Sequence, residues 1–129
     1  MGYQLSNTSR SRLASVAHRC VKVIERALVI SPIDFGIPQY GGRRTAQEQH
    51  ALFLGGKSKC DGIEKKSTHQ SGKAFDVYAY VDGKASWDEL HLTTVAAAIL
   101  QAASELKVPL EWGGLWKGFR DMPHFQLGE

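Results

Sequence analysis

Ser67-Thr68-His69-Gln70-Ser71-Gly72-Lys73-Ala74-Phe75-Asp76-Val77-Tyr78-Ala79-Tyr80-Val81 is the stretch on which the reading of this chain turns. From Ala74 to Val81 side chains alternate, with Phe75, Val77 and Ala79 on one side and Asp76, Tyr78 and Tyr80 on the other. That is the period of a half-buried strand. Just upstream, Gly72 permits a tight turn and Ala74 a close backbone approach. A turn running into a strand can bring His69 and Asp76 to one point, although they stand seven positions apart. Imidazole nitrogen and carboxylate oxygen are both zinc ligands, at ~2.0–2.2 Å. His-x6-Asp is not specific by itself. A loop histidine beside an aspartate that caps backbone amides has the same spacing.

The C-terminal run from Glu111 to Leu127 adds the rest: Glu-Trp-Gly-Gly-Leu-Trp-Lys-Gly-Phe-Arg-Asp121-Met-Pro-His124-Phe-Gln-Leu. Pro123, between Asp121 and His124, disfavours a continuous helix, so their spacing belongs to a loop entering a strand. On that strand His124 and Gln126 share one face, while Phe125 and Leu127 pack on the other. Two histidines and one carboxylate leave a fourth zinc position open, which marks catalytic rather than structural sites. Asp121 then stands where it could take a proton from water and return it to a leaving amine. Glu111 is a rival base, or simply a strand-end carboxylate.

Working outward, apolar residues at helical spacing (Leu13, Val16, Cys20, Ile24, Ala27) predict a helix over 8–29, stopped by Ser31-Pro32. Residues 33–42 read as a short extended segment ending at a glycine turn. Thr45-Ala-Gln-Glu48 is a capping box that opens a helix to Leu54, followed by Gly55-Gly56 and a polar, lysine-rich loop over 57–68. Ser86-Trp-Asp-Glu89 reads as a second box, opening a helix to about Leu106. Leu110–Trp112 and His124–Leu127 are candidate strands. Elements mix without a βαβ rhythm, so the expected class is α+β. The expectation is a small antiparallel sheet carrying the zinc site, flanked by about three helices. His18, His50 and His91 fall in predicted helices and read as surface or packed residues.

The 129 residues fit one domain, 1–129, without a separate wall-binding module. A net charge of +3 suggests an anionic partner only weakly, and the basic residues are scattered without interleaved aromatics. Nucleic acid is therefore not expected as a partner. Cys20 reads as a buried thiol and Cys60 as a loop residue, and their spacing asks for no disulfide. The N-terminus has no basic and apolar regions of a secretory signal, and no run of ~18 apolar residues predicts a membrane span. The expectation is a monomer made in a cytoplasm.

Ser67-x-His69-x-x-Gly72-x-Ala74-x-Asp76 resembles the signature of the D-Ala-D-Ala carboxypeptidase/dipeptidase metallopeptidases. Asp121-x-x-His124 resembles their acid-x-x-His element, and Gly42-x-Arg44-Thr45 with Gln49 their upstream arginine element. The three lie in the family's order and span residues 42–126. Within that family the Glu111–Gln126 run is most similar to the L-alanyl-D-glutamate endopeptidases that serve bacteriophages as endolysins. The resemblance implies one zinc ion on His69, Asp76 and His124, with Asp121 as general base and acid. It implies that Arg44 steadies the developing oxyanion, with Arg43 next door as the alternative, that Gln49 contacts substrate, and that Ser67 contacts substrate or supports the ligands from behind, a plain loop-turn serine being the alternative. It also implies a peptidoglycan stem peptide as substrate, hydrolysed at L-Ala-D-Glu, and release from the host cytoplasm through a separate pore. D-Ala-D-Ala carboxypeptidase or dipeptidase activity stays open, because the metal motifs do not fix the bond. So does a non-catalytic zinc-binding interaction domain of the same fold, although retention of Asp121 and Arg44 argues against it.

Overall fold

The computed structural model describes residues 2–128, in the order α1 (Asn7–Arg12), α2 (His18–Ile30), β1 (Asp34–Gly36), α3 (Ala46–Leu54), β2 (Ala74–Asp76), β3 (Tyr78–Val81), β4 (Lys84–Ser86), α4 (Glu89–Leu106), β5 (Leu110–Trp112) and β6 (His124–Leu127). Short 3-10 turns at Thr68–Ser71 and Gly113–Leu115 complete it. Helices and antiparallel strands are mixed, as the α+β reading expects. The strands form two three-stranded sheets, ordered β1-β3-β4 and β2-β6-β5.

Helix α4 forms because the Asp88 carboxylate accepts from the backbone N–H groups of Leu90 and His91. Its inward stripe of Leu92, Val95, Ala96, Ile99, Ala102 and Ala103 is buried. The small alanines let it lie close along α2, whose Cys20, Val23, Ile24, Ala27 and Leu28 are buried in turn. Asp88, not Ser86, caps the helix. The Ser86 hydroxyl instead bonds the Asp88 N–H and the His91 ring.

Two boundaries differ from the sequence expectation. The predicted helix over 8–29 is broken between Arg12 and His18. No glycine or proline marks that break. A tertiary bond makes it: the Ala17 N–H donates to the Gly72 carbonyl at 2.8 Å while Leu13 and Val16 turn into the core. The predicted strand over 74–81 keeps its alternation, with Phe75, Val77 and Ala79 buried. It divides at Val77, whose N–H donates to the Pro123 carbonyl, so that β2 joins one sheet and β3 the other.

In the sheet β2-β6-β5 the register sets Asp76 directly opposite His124, and cross-strand partners project from the same face. On the other face Phe75 and Phe125 stack at 5.3 Å, with Trp112 against Phe125 at 6.3 Å. That aromatic packing anchors the strands whose polar face holds the carboxylate and imidazole.

Candidate active site

His69 reaches the same face from the 3-10 turn that precedes β2. Ser67 caps that turn: its hydroxyl accepts from the His69 N–H, and the Gln70 side chain accepts from the Ser67 N–H. Gly72 closes it at φ 75°, left-handed backbone that favours glycine. A side chain at Gly72 would meet the Ser15 carbonyl at 2.7 Å, so the turn is also pressed against the α1–α2 connection. The His69 carbonyl accepts from the Arg44 N–H, tying the turn to the start of α3.

His69 Nε2, His124 Nδ1 and Asp76 Oδ1 form a triangle with edges of 3.1, 3.1 and 3.3 Å. Both histidines are buried, at 2% and 5% exposure. Their outward nitrogens are engaged. His69 Nδ1 lies 3.0 Å from the Gly42 carbonyl and His124 Nε2 lies 2.8 Å from Gln126 Oε1. Oxygen accepts in both pairs, so each ring donates its proton outward and turns a lone pair into the triangle. Three acceptors then face one another, which one cation resolves at a stroke. Ligands ~2.0–2.1 Å from a tetrahedral centre stand about 3.3–3.4 Å apart, close to the observed edges. The donor set and its size therefore fit zinc.

Arg44 backs the carboxylate. Its guanidinium donates to Asp76 Oδ2 (3.2 Å), Gln49 Oε1 (2.9 Å) and the Tyr40 carbonyl (2.8 Å). Arg43 is exposed and points away, its Nε donating to the Gln70 carbonyl. The geometry thus separates the two arginines: Arg44 touches the triangle and Arg43 does not. Burial alone would raise the Asp76 carboxyl, but with no cation in the triangle the imidazoles of His124 and His69 in their protonated form donate to it and place positive charge beside it, which holds it well below the usual carboxylate range. Burial lowers the His124 imidazole, but Asp76, Gln126 and Asp121 together raise it above its ordinary value. Asp121, half-buried at the cleft, is raised first by burial and then by the Asp76 charge.

Gln49, expected to touch substrate, is fully buried at 0% exposure. Its amide is used up, donating to Ser58 Oγ and the Cys60 carbonyl and accepting from Arg44. It meets the cleft only through Arg44. Ser67 does line the cleft, as do Asp121 and Trp116. Trp112 and Tyr78 do not: Trp112 is core, its indole donating to the Met122 carbonyl, and Tyr78 packs on Trp87. Glu111 is exposed and outside the cleft lining. Cys20 and Cys60 are not joined. His18, His50 and His91 lie outside the ligand cluster found among the described residues.

The cleft above the triangle encloses about 480 Å³. One wall is Trp116, tilted against His124 at 5.4 Å, with Phe119; the other comes from the 57–68 loop. The Lys59 ammonium sits 4.5 Å over the Phe119 ring and links the two walls. Nothing in the spacing of Lys59 or Phe119 announced this. Two loops meet there, and loop conformation carries little local signal.

Residues 1–126 match the family described as phage L-alanyl-D-glutamate peptidase. The chain is 35% identical over 122 residues to the L-alanyl-D-glutamate peptidase of Escherichia phage T5, covering 94% of this chain and 87% of that one. It is also similar to the crystal structure of the L-Ala D-Glu endopeptidase ChiX of Serratia marcescens. There the TM-score is 0.84 at 33% identity, covering 98% of this chain and 90% of the other.

Proposed function

From the premise that this chain belongs to the phage L-alanyl-D-glutamate peptidase family, we propose that it is a zinc-dependent endolysin that hydrolyses the L-Ala-D-Glu amide of the peptidoglycan stem. The observation that carries the zinc reading is the triangle of inward acceptors on His69, Asp76 and His124. Zinc in such an open site polarises an amide carbonyl and makes water nucleophilic at neutral pH.

The chain's own residues do the rest. Asp121 accepts a proton from the attacking water as the new carbon–oxygen bond forms, and delivers it to the amine nitrogen as the carbon–nitrogen bond breaks. Arg44 has five N–H groups, of which three are engaged with Tyr40, Gln49 and Asp76. The two left, one on each terminal nitrogen, are available to the carbonyl oxygen as negative charge develops. Gln49 acts through Arg44 as a positioning residue. Ser67 both caps the turn that carries His69 and offers its hydroxyl at the cleft.

We further propose that residues 1–129 work as one catalytic unit and as a monomer, without nucleic acid as partner. No helix among the described residues is long and apolar enough to cross a membrane. Synthesis in the host cytoplasm and release through a separate pore-forming protein are part of the same proposal. The test is to digest purified sacculi and a defined stem peptide, with and without chelator, and weigh the products. Separation of L-Ala from D-Glu, abolished by chelator, is the expected result. Loss of a terminal D-Ala instead would favour the carboxypeptidase reading, and zinc uptake without any cleavage the non-catalytic one.

A further inference from the structure

Beside the cleft lies a second depression of about 610 Å³, lined by Arg43, Gln70 and Ser71. It shares Arg44, Lys66 and Ser67 with the cleft, so the two meet along those residues. We propose that this groove, through Arg43 and Lys66, binds the free carboxylate of the glutamyl residue on the leaving-amine side of the scissile bond. It thereby fixes the direction in which the substrate lies. This assignment rests on the peptidase function and adds its specificity-determining residues.

Charge supports it. Arg44 is matched by Asp76, and Lys59 is engaged over Phe119. Arg43 and Lys66 have no ion-pair partner among the described residues. Among the described residues the Arg43 side chain makes one hydrogen bond, from Nε to the Gln70 carbonyl at 3.2 Å, which leaves its terminal nitrogens for another acceptor. Lys66, where groove and cleft meet, and Arg43, in the groove alone, are thus uncompensated; Lys57 also lines the cleft, whose aromatic wall is Trp116 and Phe119.

The substrate has a matching asymmetry. A glutamate acylated on its nitrogen carries two carboxyl groups, and the chain continues through only one. The other stays ionised a few bonds from the scissile nitrogen. The alanyl side presents only a methyl group. Complementarity therefore sets glutamate over the basic groove and alanine toward Trp116. A guanidinium fork suits a planar carboxylate, and Lys66 adds a mobile point charge.

The experiment compares two stem peptides that differ only in whether that glutamyl carboxylate is free or a carboxamide. The kcat/KM ratio, acid over amide, is measured for the parent, for R43Q/K66Q and for the charge-keeping R43K/K66R. In parallel, binding of the glutamyl cleavage product and its amide is titrated by NMR, which needs no turnover. The parent is expected to prefer the acid by about tenfold or more, the size of a charge-assisted hydrogen bond. In R43Q/K66Q the ratio falls toward one in both assays, and R43K/K66R keeps most of it. A parent without preference, or a neutral variant that retains it, overturns the proposal. Should the parent cleave neither peptide, the peptidase reading fails, and the binding ratios alone still decide the groove.

Discussion

Arg44 serves three acceptors on three segments, the Tyr40 carbonyl, Gln49 and Asp76, so its side chain has one posture. Replacing Gln49 by leucine removes one of those anchors and takes a donor from the half-buried Ser58 hydroxyl and Cys60 carbonyl. We expect Gln49→Leu to lose roughly 2–3 kcal/mol of stability in denaturant titration, and kcat to fall more than zinc content. Asp121→Ala should keep its zinc and lose about 10²–10⁴-fold in turnover, whereas His124→Ala loses both. Metal analysis beside peptide cleavage separates the two, and an Asp121→Ala protein as fast as its parent would refute the base assignment. At this scale the sequence was informative where a side chain sits on a regular element. His124 and Gln126 share a strand face because strands alternate, and that places Gln126 on the outward nitrogen of His124. The burial of Gln49 was not legible, because spacing along α3 says nothing about burial, and only the folded loop over 57–68 closes around it.

Between elements, the turns at Gly42 and Gly72 carry His69 and are braced by the α1–α2 connection. A side chain at Gly42 would collide with the Arg12 carbonyl, and the Gly42 carbonyl itself orients His69. Gly72→Ala combines left-handed backbone with a clash on the Ser15 carbonyl, so it should cost about 2–4 kcal/mol by chemical denaturation. A cost within error would show that the brace is unimportant. The 57–68 loop has its own acid-sensitive latch. Asp61 accepts from the N–H groups of Lys65, Ile63 and Glu64, and these bonds hold its carboxyl below the usual value. A depressed carboxyl stabilises the loop above its unfolded pKa, ~3.9, and that contribution is lost as pH falls through the lower folded value. NMR shifts of the 63–65 amides should therefore titrate with a midpoint below ~3.9, and a midpoint at the ordinary value would contradict the latch. Element type was legible from alternation, the Thr45–Glu48 capping box and Gly-Gly. The helix break and the strand division were not, because each is made by one long-range backbone bond, to the Gly72 carbonyl and to the Pro123 carbonyl.

For the molecule as a whole, the α+β class and the convergence of His69, Asp76 and His124 could be read from the chain because both ligand-bearing strands are strongly patterned. The division into two sheets could not, since alternation runs unbroken across Val77. A cation on His69, Asp76 and His124 would serve the fold as much as the chemistry, because it would separate three ligand atoms that crowd one buried point. Stripping zinc should lower the melting temperature, by on the order of 10 °C relative to zinc at a hundredfold over Kd. Scanning calorimetry with and without chelator reads this, and an unchanged melting temperature would detach the site from stability. The most direct test is the zinc-edge X-ray absorption spectrum of the purified protein. Four nitrogen or oxygen neighbours at about 2.0–2.1 Å, two with imidazole scattering, are the predicted result. A sulfur neighbour at about 2.3 Å, which would bring in Cys60, or no stoichiometric zinc at all, would contradict the His69–Asp76–His124 centre.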